Sequence, residues 1–207
     1  MTMKTNRFFS SGLTISFSRL SLRAAAILLT LCSLTSCGSK SHPPTRSEIN
    51  AIDNAAESGN LQRVKALIKS NPALVSSTNK LGDTPLHWAV GKGHADVAEL
   101  LLAYHADVNR KGVYGYTPLH WTAQLGYADE AKLLLSHGAD VNARNTNLDT
   151  PLHKAAGYGF KDVAELLVSH GADVNAKNYE GRTPLRLAEE HGAKDIADLL
   201  RQHGGHE

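Results

Sequence analysis

The chain has 207 residues, of which 42% are hydrophobic and 20% charged, a composition that is ordinary for a soluble protein. Its formal net charge is +2, and it contains only two cysteines. These values exclude a strongly basic nucleic-acid-binding chain and a protein held together by a disulfide framework.

The first 36 residues have the features of a secretory signal peptide. They contain four basic residues and no acidic one, and residues 24–34 form an apolar run. That run is shorter than the roughly 20 apolar residues that a membrane-spanning helix requires. Small residues follow it, as they do at a signal-peptide cleavage site. We therefore predict a signal peptide at residues 1–36.

A lipidation motif follows the apolar run. Leu34-Thr35-Ser36-Cys37 resembles the lipobox of bacterial lipoproteins, in which the cysteine becomes the first mature residue and carries the lipid. The resemblance implies a lipid anchor on Cys37, and Gly38 in place of an aspartate favours the outer membrane. We therefore predict a periplasm-facing protein of the bacterial envelope. Three alternatives remain open: cleavage elsewhere, with Cys37 incidental; a segment that serves as a plain anchor; or a translation start after the apolar run and residence in the cytoplasm.

Residues 37–46 are predicted to form the lipidated cysteine and a flexible tether, because they are rich in serine, proline and lysine. Extended proline-rich chain rises about 3.1 Å per residue, so this tether reaches about 30 Å. Removing the four signal-peptide cations leaves 18 basic against 20 acidic residues, a net charge of −2. The mature chain therefore lacks the basic surface that nucleic-acid binding needs.

A regular repeat fills the rest of the chain, residues 47–207. Thr-Pro-Leu-His begins at Thr84, Thr117 and Thr150, and Thr-Pro-Leu-Arg begins at Thr183, so the four motifs are equally spaced. A fixed period of 33 residues, the interval between successive motifs, predicts a stacked array of similar units. The surface of such an array is suited to binding, in contrast to an enzyme built around one pocket.

Each unit is predicted to contain two short helices. In the second unit, Leu86, Ala89 and Val90 have the i, i+3, i+4 spacing of one helix face. Pro85 suits the first helical position and Thr84 can cap it. A second set of apolar residues with the same spacing follows after a glycine-containing turn.

These motifs resemble the ankyrin repeat, which has the same period and a Thr-Pro-Leu-His signature. The resemblance implies an all-α solenoid of helix-turn-helix units with projecting β-hairpin-like loops. We count about five units, at approximately 47–79, 80–112, 113–145, 146–178 and 179–207. The first and last are predicted caps: the first lacks the motif, and the last carries polar Arg186 and Arg201 at repeat positions.

The sequence predicts no metal site, cofactor or enzymatic activity. His87, His120 and His153 form one column, but adjacent units lie about 10 Å apart, whereas bonds to a metal are about 2 Å long. The resemblance implies instead that each of these histidines ties its own turn to the neighbouring loop. Residues 47–207 contain no cysteine, no glycine-rich phosphate loop and no Gly-x-Ser-x-Gly motif.

Partner contacts are expected at positions that vary between units. In ankyrin stacks partners dock on the loop tips and on the inner face of the first helices. Four of the six tyrosines fall at these positions, and tyrosine is frequent in binding hot spots, although some could instead pack between loops. The residues that the resemblance assigns to partner binding are Lys80, Leu81, Asp83, Val113, Tyr114, Tyr116, Gln124, Leu125, Asn147, Asp149, Tyr158, Tyr179, Glu180 and Arg182. Trp88 and Trp121 either line the same groove or fill gaps between units.

The sequence thus predicts a monomeric, non-catalytic interaction module of the envelope that binds a protein through its concave loop-and-helix face. One alternative is an immunity-type inhibitor of a toxin or enzyme. Another is a small-molecule binder or enzyme that uses the groove. The second is disfavoured because ligand pockets usually enclose most of their ligand, whereas such grooves are shallow.

Overall fold

The computed structural model describes residues 42–206, which form ten α-helices and contain no β-strand. The predicted signal peptide and Cys37 lie outside the described residues. Within residues 42–206, each helix is too short or too polar to span a bilayer. The helices are α1 Arg46–Glu57, α2 Leu61–Ser70, α3 Pro85–Gly91, α4 Ala95–Ala103, α5 Pro118–Leu125, α6 Ala128–Ser136, α7 Pro151–Tyr158, α8 Lys161–Ser169, α9 Pro184–Glu190 and α10 Lys194–Gln202. Two short 3-10 helices, Pro72–Ser76 and Val113–Gly115, lie in the connections.

The ten helices form five pairs that stack in chain order. Within each pair the two helices pack together, and the first helix also contacts the first helix of the next pair, from α1 and α3 through to α7 and α9. The second helices contact each other in the same order, from α2 and α4 to α8 and α10. This arrangement confirms the all-helical solenoid that the repeat predicts.

One continuous apolar core runs through the stack. The leucines of the four Thr-Pro-Leu motifs are buried, as is Ile52 at the same position of the first unit. The second helices add a parallel row of buried residues, for example Leu101, Leu134 and Leu167. Because a single two-helix unit cannot bury such a face alone, each unit depends on its neighbours for stability.

The histidine column joins each unit to the next. His87 Nδ1 accepts a hydrogen bond from the backbone N–H of Thr84 at 3.1 Å, and its Nε2 lies 3.1 Å from the carbonyl oxygen of Tyr116. Since Nδ1 is the acceptor, Nε2 carries the proton and donates to that carbonyl. The same bond recurs from His120 to Asp149 at 3.0 Å and from His153 to Arg182 at 3.1 Å. The rings therefore have the tying role that the resemblance implies, and the described residues contain no group of three or more metal-ligating side chains.

The projecting loops, here called hairpins two to five after their units, are tight turns rather than paired strands. Each turn is closed by one main backbone bond across its base, as from the N–H of Gly112 to the carbonyl of Tyr116 at 2.8 Å. Adjacent hairpins are joined by further bonds, including the N–H of Thr146 to the carbonyl of Tyr114 at 3.0 Å. The hairpins are therefore ordered by their neighbours as well as by their own turns.

The last residues of the predicted tether belong to the folded domain. The carbonyl of His42 accepts from Asn71 Nδ2 at 3.2 Å, and His42 Nε2 lies 3.5 Å from Glu48 Oε1. Thr45 caps α1, and its N–H donates to Glu48 Oε2 at 2.8 Å. The first helix thus begins at Arg46, and residues 42–45 lie against it.

Candidate protein-interaction surface

Two grooves lie between the hairpins and the first helices. The first, here called the apolar groove, has a volume of about 370 Å³ and lies between units two and three, with Leu81, Trp88, Val113, Trp121 and Leu125 among its lining residues. The second, here called the polar groove, has a volume of about 590 Å³ and lies between units four and five. Its lining includes Lys154, Tyr158, Tyr179, Glu180 and Arg182. The surface therefore changes from apolar to polar along the stack.

The two tryptophans line the apolar groove. Trp88 and Trp121 occupy equivalent positions of α3 and α5, are half-buried and pack against the core. Their indole N–H groups are buried and have no hydrogen-bond partner within the described residues. The rings thus line the groove, which is one of the two roles left open by the sequence, and they also touch the core.

Three of the four predicted tyrosines are strongly exposed. The exposed fractions are 72% for Tyr114, 58% for Tyr158 and 81% for Tyr179. Tyr114 lies at the tip of hairpin three with a positive φ of 54°, and its carbonyl oxygen accepts a hydrogen bond from the hydroxyl of Thr146 in hairpin four. These three rings supply large amphipathic surface of the kind that partners contact.

Tyr116 differs from the other three because it is half-buried within the stack. Its hydroxyl donates to Gln124 Oε1 at 3.1 Å. Its ring centroid lies 5.4 Å from that of His120 and 5.9 Å from that of Trp121, and Lys154 Nζ lies 5.2 Å from it. Tyr116 and Gln124 therefore pack within unit three, and Tyr116 contacts unit four through Lys154.

Two of the predicted contact residues are buried carboxylates. Asp83 is only 4% exposed and accepts from the N–H of Val113 at 2.9 Å. Asp149 is 7% exposed and accepts from Lys154 Nζ at 2.7 Å and from Asn178 Nδ2 at 2.9 Å. Burial alone raises the pKa of Asp149, but the bonds from Lys154 and Asn178 outweigh it and hold this pKa below its ordinary value. Asp149 therefore has a structural role, since its carboxylate is bonded to other side chains of the stack.

The other predicted positions lie at the surface or at the groove walls. The exposed residues are Lys80, Leu81, Asn147 and Glu180, and the half-buried ones are Val113, Leu125 and Arg182. Arg182 is paired with Glu180 and with Glu190. Sequence reasoning missed Lys154 as a groove residue. The sequence signal that could have identified Lys154 is a change of residue type, because the equivalent position is tryptophan in the two preceding units.

Comparisons with known proteins agree with this geometry. The family model described as ankyrin repeats (3 copies) matches residues 52–145 and 141–207. The chain is 38% identical over 60 residues to the 26S proteasome non-ATPase regulatory subunit 10 of Homo sapiens, a match that covers 29% of this chain and 26% of that protein. It is 39% identical over 57 residues to the E3 ubiquitin-protein ligase XBAT32 of Arabidopsis thaliana, covering 27% of this chain and 11% of that one. The matched segment thus spans about a quarter or less of each relative.

Ankyrin repeats are generally non-catalytic and mediate protein–protein interactions. The family matches together cover well over half of the chain, and the five stacked helix pairs have the architecture that the family implies. The chain therefore belongs to the ankyrin repeat family and contains a protein–protein interaction module.

Proposed function

We propose that this protein is a non-catalytic envelope lipoprotein that binds an envelope or periplasmic protein through its hairpin tips and first helices. The observation that supports this most directly is the exposure of Tyr114, Tyr158 and Tyr179 on the predicted binding positions. Their hydroxyls form no hydrogen bond with the described residues. Large rings with a free polar end bind partners at low entropic cost, because few rotatable bonds become ordered.

The positions of the two grooves also support the proposal that the partner binds the face formed by the hairpins and first helices. A stable interface buries about 800 Å² on each partner, which one small groove does not provide. The apolar groove, the polar groove and the three tyrosines are all built from hairpins and first helices. A partner that spans units two to five would contact all of these features.

Replacing Tyr114, Tyr158 and Tyr179 together by alanine should reduce partner capture at least tenfold in an in vivo crosslinking pull-down. Tyr116 is left unchanged because it packs within the stack. Thermal stability should change little, since surface substitutions usually alter the free energy of unfolding by less than about 0.5 kcal/mol each. Tyr104→Ala is the matched control, because Tyr104 is 44% exposed but follows a second helix.

The Tyr104 variant should capture the partner as the wild type does. Equal capture by the triple variant would show that the tyrosines do not form the binding site. Failure of the folded, anchored wild type to capture any protein would contradict the proposed function itself.

The anchoring part of the proposal is supported by the lipobox-like sequence around Cys37. The native protein should carry lipid on Cys37, with residues 1–36 removed, and should partition into detergent. Cys37→Ala should move it to the aqueous phase, because stable anchoring depends on the attached acyl chains. Intact-mass measurement of the native protein tests this. A mass that matches an unprocessed or unlipidated chain would contradict the proposed anchor, and the cell fraction that contains the protein would show where it resides instead.

A further inference from the structure

One position of the hairpins is hydrogen-bonded to the first helix of its own unit in three units, but not in unit two. The residue just before the capping threonine is Asp83, Tyr116, Asp149 or Arg182 in units two to five. In three units its side chain is bonded to the first helix of the same unit, as Tyr116 to Gln124 at 3.1 Å, Asp149 to Lys154 at 2.7 Å and Arg182 to Glu190 at 3.1 Å. Asp83 has no such partner, because Trp88 and Gly91 occupy the corresponding positions of the described helix α3.

Asp83 is therefore a buried carboxylate that no cation of the described residues bonds. It is 4% exposed, and its carboxylate accepts a hydrogen bond from the backbone N–H of Val113. Lys92 lines the same groove but is paired with Glu57 at 3.1 Å. A buried charge of this kind is costly unless a counter-charge joins it.

A second unpaired carboxylate lies close to Asp83. Asp53 takes the histidine position of the first unit, is 7% exposed, and its Oδ1 has no hydrogen-bond partner within the described residues. Burial, together with the charge of Asp83, raises the pKa of Asp53 to about 7. The direction of this shift is that of a carboxyl group beside another carboxylate and without a compensating cation.

In unit four the equivalent buried carboxylate, Asp149, is paired with a cation of the same chain. Lys154 Nζ lies 2.7 Å from Asp149 Oδ2 and 5.2 Å from the ring centroid of Tyr116. A cation is thus held between a carboxylate and an aromatic ring, and both contacts are favourable. In unit two the carboxylate of Asp83 and the aromatic rings of Trp88 and Trp121 line one groove. The helix position that is equivalent to Lys154 of unit four, however, is occupied by Trp88.

We propose that the apolar groove binds a lysine or arginine side chain of the partner, with an apolar residue beside it. The cation contacts Asp83 and takes the place that Lys154 has in unit four. The apolar neighbour packs on Trp88, Trp121 and Leu125. The identity of the bound segment as part of a protein partner rests on the proposed function, whereas the preference of the groove for a cation can be measured without that partner.

Tryptophan emission reports on this groove directly, because Trp88 and Trp121 are the only two tryptophans of the chain. The probe is the peptide acetyl-Leu-Arg-Leu-amide, and the neutral control replaces arginine by citrulline. The arginine peptide should cause a saturable change in emission and bind at least tenfold more tightly than the citrulline peptide. Equal binding of the two peptides, or no saturable change with either, would overturn the proposal.

Matched variants test the role of Asp83. Asp83→Asn keeps an oxygen for the N–H of Val113, and should reduce arginine-peptide affinity to that of the citrulline peptide. Asp162→Asn removes the same charge from an exposed position on α8, and should leave the affinity unchanged. Trp88→Lys supplies the cation within the chain, as Lys154 does, and should also abolish arginine-peptide binding while Trp121 still reports. Unchanged binding in the folded Asp83→Asn and Trp88→Lys variants would contradict the proposal.

The crosslinking experiment separates this inference from the proposed function. Capture of one partner by the wild type and equally by Asp83→Asn would refute the cation site and leave the proposed function standing. Specific binding of the arginine peptide, with no protein captured by the wild type, would support the cation site and refute the proposed function.

Discussion

Replacing His120 by alanine is expected to lower the free energy of unfolding by about 3 kcal/mol, the loss typical of a buried, fully bonded polar side chain. His120 is completely buried. Its Nδ1 lies 3.2 Å from the N–H and 2.8 Å from the hydroxyl of Thr117, and its Nε2 lies 3.0 Å from the carbonyl oxygen of Asp149. Alanine leaves these groups unpaired and leaves a cavity between units three and four.

Urea denaturation followed by circular dichroism measures this effect. His137→Ala is the control, since His137 is also a repeat-position histidine but is exposed and bonded mainly to its own helix through the carbonyl of Leu133. Its substitution should cost less than about 0.5 kcal/mol. Similar losses at the two positions would show that the column of His87, His120 and His153 does not hold the units together.

Acidification from pH 7 to pH 4.5 is expected to reduce the contribution of the same three histidines to the stability of the stack. Burial is the main cause that lowers the pKa of His120 to about 4, and it also lowers the pKa values of His87 and His153. In the unfolded chain a histidine binds a proton near pH 6.5. Between pH 6.5 and 4 the unfolded state therefore holds more protons, and the free energy of unfolding decreases as the pH falls. For His120 alone the loss is roughly 3 kcal/mol at 1.4 kcal/mol per pKa unit.

Asp53 opposes this trend, because its pKa is raised to about 7 in the folded protein. The folded state keeps its proton at pH values where an unfolded aspartate, with a pKa near 3.9, has lost it. Its favourable contribution is therefore full at low pH and is lost as the pH rises through 7. Asp53→Asn removes this titration and should stabilise the protein by about 4 kcal/mol at pH 7.5, but hardly at pH 4.

Urea denaturation of both proteins between pH 4 and pH 8 tests the two contributions together. The Asp53→Asn variant, which keeps only the histidine contribution, should lose stability below pH 6, and the difference between this variant and the wild type should grow as the pH rises. A difference that is constant with pH would show that Asp53 does not titrate in this range. Constant stability of the Asp53→Asn variant from pH 7 to 4.5, where the opposing titration of Asp53 is absent, would contradict the role assigned to the histidine column.

The repeat period, the helix pairs and the core were predictable from the sequence. Each depends on residues close together in the chain: Thr84 and Pro85 begin a helix locally, and Leu86, Ala89 and Val90 mark its buried face. A motif that recurs at a fixed interval places equivalent side chains at equivalent points of the stack. The inter-unit bonds of the histidine column follow from the same register, which is why the resemblance to the ankyrin repeat implies them correctly.

The character of the binding surface was decided only by the tertiary structure. Tyr114 and Tyr116 belong to one hairpin, yet the first is 72% exposed and the second packs against His120 and Trp121. Asp83 and Asp149 occupy the same repeat position, but only Asp149 is bonded to a cation of the described residues, Lys154. Exposure and charge pairing depend on side chains contributed by neighbouring helices and by the next unit along the chain. Some of those groups lie on the first helix of the same unit, as Lys154 does for Asp149, and others lie on the next unit, as Lys154 does for Tyr116. They meet only when each hairpin has folded onto its helix and the units have stacked, so the local sequence pattern does not determine which residues remain free to bind a partner.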